Sequence, residues 1–202
     1  MSSWRYRSTG CWATPDDVPV DLTGTDLSTE TIRTERLVLR PFREDDVPAV
    51  LAGCQDPGVQ RWINIPVPYT RDDAHEFVAV VSPAERRAGT GTNLAIEADG
   101  VVVGSTGVHR IGQHPLGPEI GYWVSAGARG HGYAAEATDA LASWALGLGA
   151  HRVYLVADVR NTASQAVARK AGLSQEGVLR SYLAYRDGTR GDAALFSRLP
   201  TD

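Results

Sequence analysis

The stretch from Glu119 to Ala157 constrains the fold more than any other part of the chain. It opens with a β-rich segment, Glu119 to Ser125 (EIGYWVS). A small-residue turn follows, Ala126-Gly127-Ala128-Arg129-Gly130-His131-Gly132-Tyr133-Ala134. From Gly132 to Leu148 the pattern is helical, with Ala137, Leu141, Trp144 and Leu148 on one face at spacings of three and four. Arg152 to Ala157 (RVYLVA) is then a short apolar run of the kind buried on both faces of a sheet. A helix between two such strands hides its apolar face only by packing on a sheet, so the spacing predicts layers of helix and strand around one core.

The turn has chemistry as well as geometry. Gly130 and Gly132 let the backbone curl tightly and expose its N–H groups. The positive end of the following helix points the same way. Together they predict an anion pocket of pyrophosphate size, with no side chain at Gly132 to hold phosphates off. The chain has no G-x-x-x-x-G-K-[ST], which disfavours a Walker-type nucleotide site, and the glycines are not spaced as G-x-G-x-x-G, which disfavours a dinucleotide site.

The remaining elements frame this segment. Arg36 to Arg40 (RLVLR) alternates as a strand and stops at Pro41; residues 44–53 read as a short helix with acids at its start. The stretch from Asp56 to Tyr69 carries three prolines and reads as mostly loop. Thr70 with Asp73 three residues on marks a helix start, and that helix runs to about Arg87. Asn93 to Glu97 and Val101 to His109 read as a hairpin turned at Asp99-Gly100. A helix over about 162–171 ends at Gly172, and strands near 175–184 and 192–199 flank Asp187-Gly188. The order is β-α-α-β-β-β-α-β-α-β-β, a mixed α/β (α+β) fold. Residues 1–32, rich in Ser, Thr, Asp, Gly and Pro, are expected to be an irregular or flexible arm ahead of a domain over 33–202.

Composition narrows the function. The chain has 202 residues, enough for one compact domain; 43% are hydrophobic and 22% charged, as in ordinary globular proteins. A net charge of -4 gives no footprint for nucleic acid, and no apolar run is long enough to span a bilayer. The N-terminus lacks the apolar stretch of a signal peptide, so a cytoplasmic location is expected. Lys170 is the only lysine. Cys11 and Cys54 lack metal-ligand spacing and are expected to be reduced thiols; no metal site is expected.

At Arg129-Gly130-His131-Gly132-Tyr133-Ala134 the chain resembles the GNAT (GCN5-related) N-acetyltransferases, whose signature is [Q/R]-x-x-G-x-[G/A]. The context matches too: a strand before it, a helix after it, the strand 152–157, then Asn161-x-x-Ser164 and Lys170-Ala171-Gly172-Leu173. More narrowly it looks like the branch that acetylates ribosomal-protein N-termini. The pieces that match are Thr34-Glu35-Arg36-Leu37-Val38-Leu39-Arg40-Pro41, Pro68-Tyr69-Thr70, Glu119-Ile120-Gly121-Tyr122-Trp123-Val124 and Glu176-Gly177-Val178-Leu179-Arg180. The resemblance covers roughly residues 33–199.

That resemblance implies a single, mostly antiparallel central sheet flanked by helices, with one splayed strand pair holding acetyl-CoA or another short acyl-CoA. Backbone groups of Trp123 and Val124 would pair with the pantetheine arm, and an N–H near Val124 would polarise the thioester carbonyl. Backbone N–H groups of Arg129, Gly130, His131, Gly132, Tyr133 and Ala134 would hold the pyrophosphate, and Asn161 would touch the cofactor. The acceptor would be a protein N-terminus or a small-molecule amine, attacking directly in a ternary complex. A monomer or a homodimer would serve.

The amine must lose a proton. Glu119, which opens the strand beside the thioester, is the first candidate base, against the reading of an ordinary strand-end carboxylate; His109 and His114 are alternatives. Many GNAT enzymes protonate the leaving thiolate with a tyrosine that falls here at Ala168. In the branch named above a serine takes that role, and it matches Ser164; Ser164 and Asn161 also read as ordinary first-turn helix caps. A glutamate that some branch members use as base falls at Leu183. These departures leave open a catalytically silent acyl-CoA-binding module. Trp62, Ile65, Pro66 and Tyr69 from the 56–70 segment, and Tyr182, Tyr185 and Arg186 near the last hairpin, are the candidate acceptor-site residues.

Overall fold

The computed structural model describes residues 26–114 and 116–202, with the backbone of two short strands before them, β1 (Arg5–Tyr6) and β2 (Trp12–Ala13), paired antiparallel. Cys11 lies outside the described residues. Packing of the described chain begins before residue 33. Leu27 is 3% exposed within the main core, Glu30 accepts a hydrogen bond from the Trp144 indole, and β3 (Ile32–Arg33) pairs with β4 (Leu37–Pro41).

A 3-10 turn over Glu44–Asp46 leads into α1 (Val47–Gln55). Inside the segment expected to be loop lies α2 (Pro57–Gln60): Asp56 caps it by accepting from the Val59 N–H, and Pro57 occupies the first turn, where its missing N–H costs nothing. Thr70 starts α3 (Arg71–Glu76) with a reciprocal cap from Asp73, as the sequence predicts. The helix continues through a π turn (Phe77–Val81) into α4 (Ser82–Ala88). Then come β5 (Thr92–Ala98) and β6 (Val101–His109), joined at Asp99 and Gly100, both at positive φ as a tight hairpin turn requires. The rest is β7 (Glu119–Val124), α5 (Tyr133–Gly147), β8 (Val153–Asp158), α6 (Thr162–Lys170), β9 (Ser174–Ala184) and β10 (Arg190–Arg198).

From β3 to β10 the strands form one sheet in the order β3-β4-β5-β6-β7-β8-β10-β9. Every neighbouring pair is antiparallel except β7 and β8, which α5 connects in parallel. Side chains alternate across a strand. Ile120 and Val124 of β7 join Ala137 and Leu141 of α5 in the main core, and Leu155 and Ala157 of β8 pack with Ala168 of α6. Trp123 points to the opposite face, among residues of α1 and α3. It lies so close to α1 that a Cβ on Gly53 would stand 2.2 Å from its ring, so only glycine lets the helix approach there. The sheet therefore separates an α5/α6 face from an α1/α3 face.

Candidate active site

The parallel pair is where the sheet opens. β7 and β8 share one registered pair, Glu119 with Tyr154, reinforced by the Tyr154 N–H donating to Pro118 O at 3.1 Å. Beyond it, toward Val124 and Asp158, the strands are no longer paired. On its other edge β7 pairs along its full length with β6. The Ser125 N–H donates to Val103 O at 2.9 Å, and antiparallel bonding alternates by residue, so Trp123 and Gly121 also turn their backbone groups to β6. Those of Tyr122 and Val124 face the gap. This corrects the expectation for Trp123: its backbone is used within the sheet and its side chain packs on α1. The Val124 carbonyl accepts from Arg129 Nε at 3.2 Å, and its N–H, turned away from β6, faces the opening.

Beyond Val124 a 3-10 turn (Ala126–Ala128) leads to the glycine loop. Gly130 and Gly132 sit at φ 84° and 85°, left-handed values that alternate with His131 to form a concave run of N–H groups. Among the described residues, no backbone acceptor takes the N–H groups from Gly130 to Ala135. The Arg129 N–H is the exception to what the sequence predicts, since it turns inward to Ala126 O. Several contacts hold the loop in shape. His131 Nδ1 lies 3.1 Å from Arg129 O and 3.3 Å from Ala128 O, which makes it the protonated nitrogen, and the His131 ring stacks on Tyr133. Arg36 donates to His131 O at 3.0 Å, lies over Tyr133 and pairs with Glu136 at 2.6 Å. Arg36 and Lys170 line a cavity beside Gly132 together with Glu35, Glu136 and Asp139, so its wall carries charges of both signs.

Across the gap, α6 starts at Asn161, whose side-chain oxygen accepts from the Ser164 N–H at 3.0 Å. The Asn161 oxygen is thus spent on capping, and its amide nitrogen remains for a ligand. Ser164 Oγ lies 3.0 Å from the Tyr122 hydroxyl, a bridge from β7 to α6. Burial pushes the Tyr122 phenol up to about 12, the Ser164 bond acting against it. Ala168 is fully buried, so no hydroxyl comes from that position.

Glu119 sits at the joined end of the splay. It accepts from Tyr154 Oη at 3.1 Å and pairs with Arg110 at 3.4 Å. Arg110, itself at φ 58°, also has Tyr182 nearby, which places a candidate acceptor residue close to the candidate base. His109 stands opposite Glu119 in the register, on the α1/α3 face. Its Nε2 lies 3.2 Å and 3.4 Å from where Cβ atoms on Gly107 and Gly121 would be, so the imidazole rests across two glycines. Burial lowers its pKa, with Glu85 opposing, and so favours the neutral ring. His114 packs near the Tyr154 ring, and its Nδ1 accepts from the Leu116 N–H.

The 56–65 segment crosses the open end of the splay and is tied down on both sides. Arg129 pairs with Asp56, the cap of α2. Arg186, from the β9–β10 turn, donates to Gln60 O, Ile63 O and Ile65 O at 2.6, 3.0 and 2.7 Å. Trp62 lies half-buried in this bridge with Arg61 stacked on it; Ile65 is half-buried and Pro66 exposed. Tyr182 is 39% exposed. Tyr69 does not belong to the site: it is 5% exposed in the α1/α3 core, and its hydroxyl meets the Cys54 thiol. Burial raises that thiol to about 11, which removes it as a nucleophile.

Tyr185 anchors the same turn to β8 by donating to Asp158 Oδ2 at 2.6 Å, and Arg160 grips the carboxylate at 2.9 and 2.7 Å. The Arg160 bonds first, and the Tyr185 bond after burial has opposed them, hold Asp158 well below the usual carboxylate range. A depressed folded-state pKa stabilises fully above the unfolded value of about 3.9 and loses that contribution as pH falls toward the folded one. Asp158→Asn is therefore expected to melt below the parent at pH 7, with the gap closing as the pH drops beneath about 4. A gap that is constant with pH in thermal melts would rule this out.

Two features of the site escape sequence reasoning. Tyr122 had a faint signal: alternation from Ile120 places it on a buried face, where a phenol needs a polar partner. Arg186 is a candidate acceptor-site residue in the sequence, but its clamp had no signal, since its partners are carbonyls on a distant loop. Among the described residues no group of three or more His, Cys, Asp and Glu is placed to hold a metal ion, and no helix is long and apolar enough to cross a membrane.

The acetyltransferase (GNAT) domain model matches residues 36–174. The chain is similar to the uncharacterized N-acetyltransferase p20 of Bacillus licheniformis, 29% identical over 174 residues that cover 84% of this chain and 96% of p20. Mycobacterium smegmatis RimJ, solved in complex with CoA-disulfide, superposes with a TM-score of 0.75 at 25% identity, covering 89% of this chain and 90% of RimJ. RimL, a ribosomal L7/L12 alpha-N-protein acetyltransferase solved with coenzyme A, has the same fold at a TM-score of 0.75 and 23% identity, covering 86% of this chain and all of RimL (100%). With a splayed parallel pair and an N–H-lined glycine loop at its mouth, and with the family's model spanning most of its length, this chain belongs to the GNAT acetyltransferases and is an acyl-CoA-dependent N-acyltransferase.

Proposed function

We propose that the protein transfers an acetyl or similar short acyl group from its CoA thioester to a primary amine by direct attack, without a covalent enzyme intermediate. The observation that carries this reading is the run of N–H groups from Gly130 to Ala135 that find no backbone acceptor among the described residues, at the mouth of the splay. A pyrophosphate there meets N–H donors and a helix dipole at once. The Val124 N–H would stabilise the oxyanion that develops at the thioester carbonyl. Ser164, with Asn161 beside it, meets the sulfur from α6. Glu119 or His109, both on the α1/α3 face, receives the proton of the attacking amine. Base and leaving-group donor then stand on opposite faces of the sheet, with the thioester passing between them.

The acceptor enters beside Trp62 and Tyr182 and is either a protein N-terminus, as the name of RimL states for that protein, or a small-molecule amine. The protein acts in the cytoplasm as a monomer or homodimer.

Calorimetric titration with acetyl-CoA, longer acyl-CoAs and free CoA tests the donor assignment. Saturable binding of one thioester per chain is expected, and the preferred one sets the donor for an acceptor screen. Absence of heat with all of them would reduce the glycine loop to a strand-to-helix turn.

A further inference from the structure

We infer that Tyr122 is the positioning residue for the leaving-group donor: it holds the Ser164 hydroxyl with its hydrogen turned into the splay, where the thioester sulfur departs. This rests on the acyltransferase reading above. Tyr122 lies on β7 and Ser164 on α6, the helix that follows β8, and β7 and β8 register only at Glu119 and Tyr154. No backbone pairing fixes one against the other at this level, and the 3.0 Å hydroxyl contact does so instead. The Ser164 backbone is already set by the Asn161 cap. Among the described residues its Oγ has Tyr122 as its one hydrogen-bond partner.

Charge decides the direction of that bond. When the amine attacks, a C–N bond forms and the C–S bond breaks with its electron pair on sulfur; the amine's proton goes to the base. The thiolate accepts hydrogen bonds and gives none. The arrangement that satisfies every group is Tyr122 O–H donating to Ser164 Oγ while the Ser164 hydrogen points to sulfur. A hydroxyl that accepts one hydrogen bond donates a stronger second one, and a charged acceptor strengthens it further. The buried phenol stays protonated throughout, so it orients and polarises the serine without surrendering its own proton. It thereby supplies, from β7, some of what a tyrosine at position 168 would have supplied from α6.

The competing account is that Tyr122 only packs, since it borders the buried cluster that β8, α6 and β10 build around Leu155, Ala168 and Phe196. Tyr122→Phe separates the two, because phenylalanine keeps that packing and loses the hydroxyl. With acetyl-CoA and the amine that gives the fastest thiol release in a panel, Tyr122→Phe is expected to lower kcat about tenfold, the worth of one hydrogen bond. The Kd for CoA and the acceptor KM should hold, and the Tm should fall by no more than the few degrees that one hydrogen bond contributes. In a Ser164→Ala background the same change should cost nothing further, because Tyr122 acts only through that hydroxyl. Unchanged kcat in Tyr122→Phe, or a loss of equal size in both backgrounds, would overturn the assignment while leaving the acyltransferase reading intact. Failure of that reading is distinguishable, since the parent protein itself would then release no thiol with any amine.

Discussion

Valine at Gly132 is expected to weaken CoA binding by roughly a hundredfold while costing the fold only about 1–2 kcal/mol. Gly132 caps α5 at φ 85° and ψ -1° with no side-chain cap of its own. A β-branched residue is a genuine outlier in that region, so the backbone must leave it. Once it does, the N–H groups on either side no longer converge. Losing two hydrogen bonds to a charged pyrophosphate, each worth about 1.5 kcal/mol at least, accounts for the hundredfold. Stability suffers less, because the loop is at the surface and α5 is held by Ala137, Leu141 and Ala142, all fully buried. Gly132→Asn is the internal control. Asparagine visits left-handed conformations at little cost, so its loop keeps its shape and binding should fall far less than with valine. Titration calorimetry with CoA, paired with thermal melting, reads both effects. A folded valine variant that binds CoA like the parent would show that the loop does not hold the pyrophosphate.

The same glycines explain why this part of the molecule was legible in sequence. Tight backbone geometry is written locally: Gly130 and Gly132 at their left-handed values, Asp99-Gly100 at the hairpin and Thr70 with Asp73 at a helix start all depend on residues next to one another. The element order followed from such signals, and with it the placement of the loop between β7 and α5. What failed depended on pairing in space. Which backbone groups of β7 face the gap is set by its register with β6, and a shift of one residue exchanges Trp123 for Val124. Tyr69 read as a loop residue near a proline, yet it fills the core between α1 and α3. Pro57 read as a breaker, yet it opens α2, because a helix tolerates proline in its first turn. The Arg186 clamp on the 60–65 carbonyls joins segments more than a hundred residues apart through backbone oxygens, which every residue has and no pattern marks.

Ser164→Ala should lower kcat by about a hundredfold or more, the lower end of what one hydrogen-bond donor aimed at developing charge contributes. It should cost the fold about 1–2 kcal/mol through the Tyr122 hydroxyl left without its partner, and nothing through the helix start. The cap at the start of α6 uses the Asn161 side chain and the Ser164 N–H, and alanine keeps that N–H. CoA affinity should also hold, since the hydroxyl matters most when charge develops on sulfur and little while the thioester is intact. A fall in kcat and kcat/KM together, with an unchanged Kd for CoA, is the signature of an interaction made only in the transition state. Restoring a tyrosine at position 168 offers no escape from this loss. Ala168 is fully buried against Leu155 and Leu173, and forcing a ring into that space would cost about 1–3 kcal/mol of overpacking before any hydroxyl reached the splay. Thiol release measured under saturating acetyl-CoA decides the matter. If Ser164→Ala turns over as fast as the parent, the departing thiolate needs no donor from α6, and the hydroxyl there is only a partner for the Tyr122 phenol.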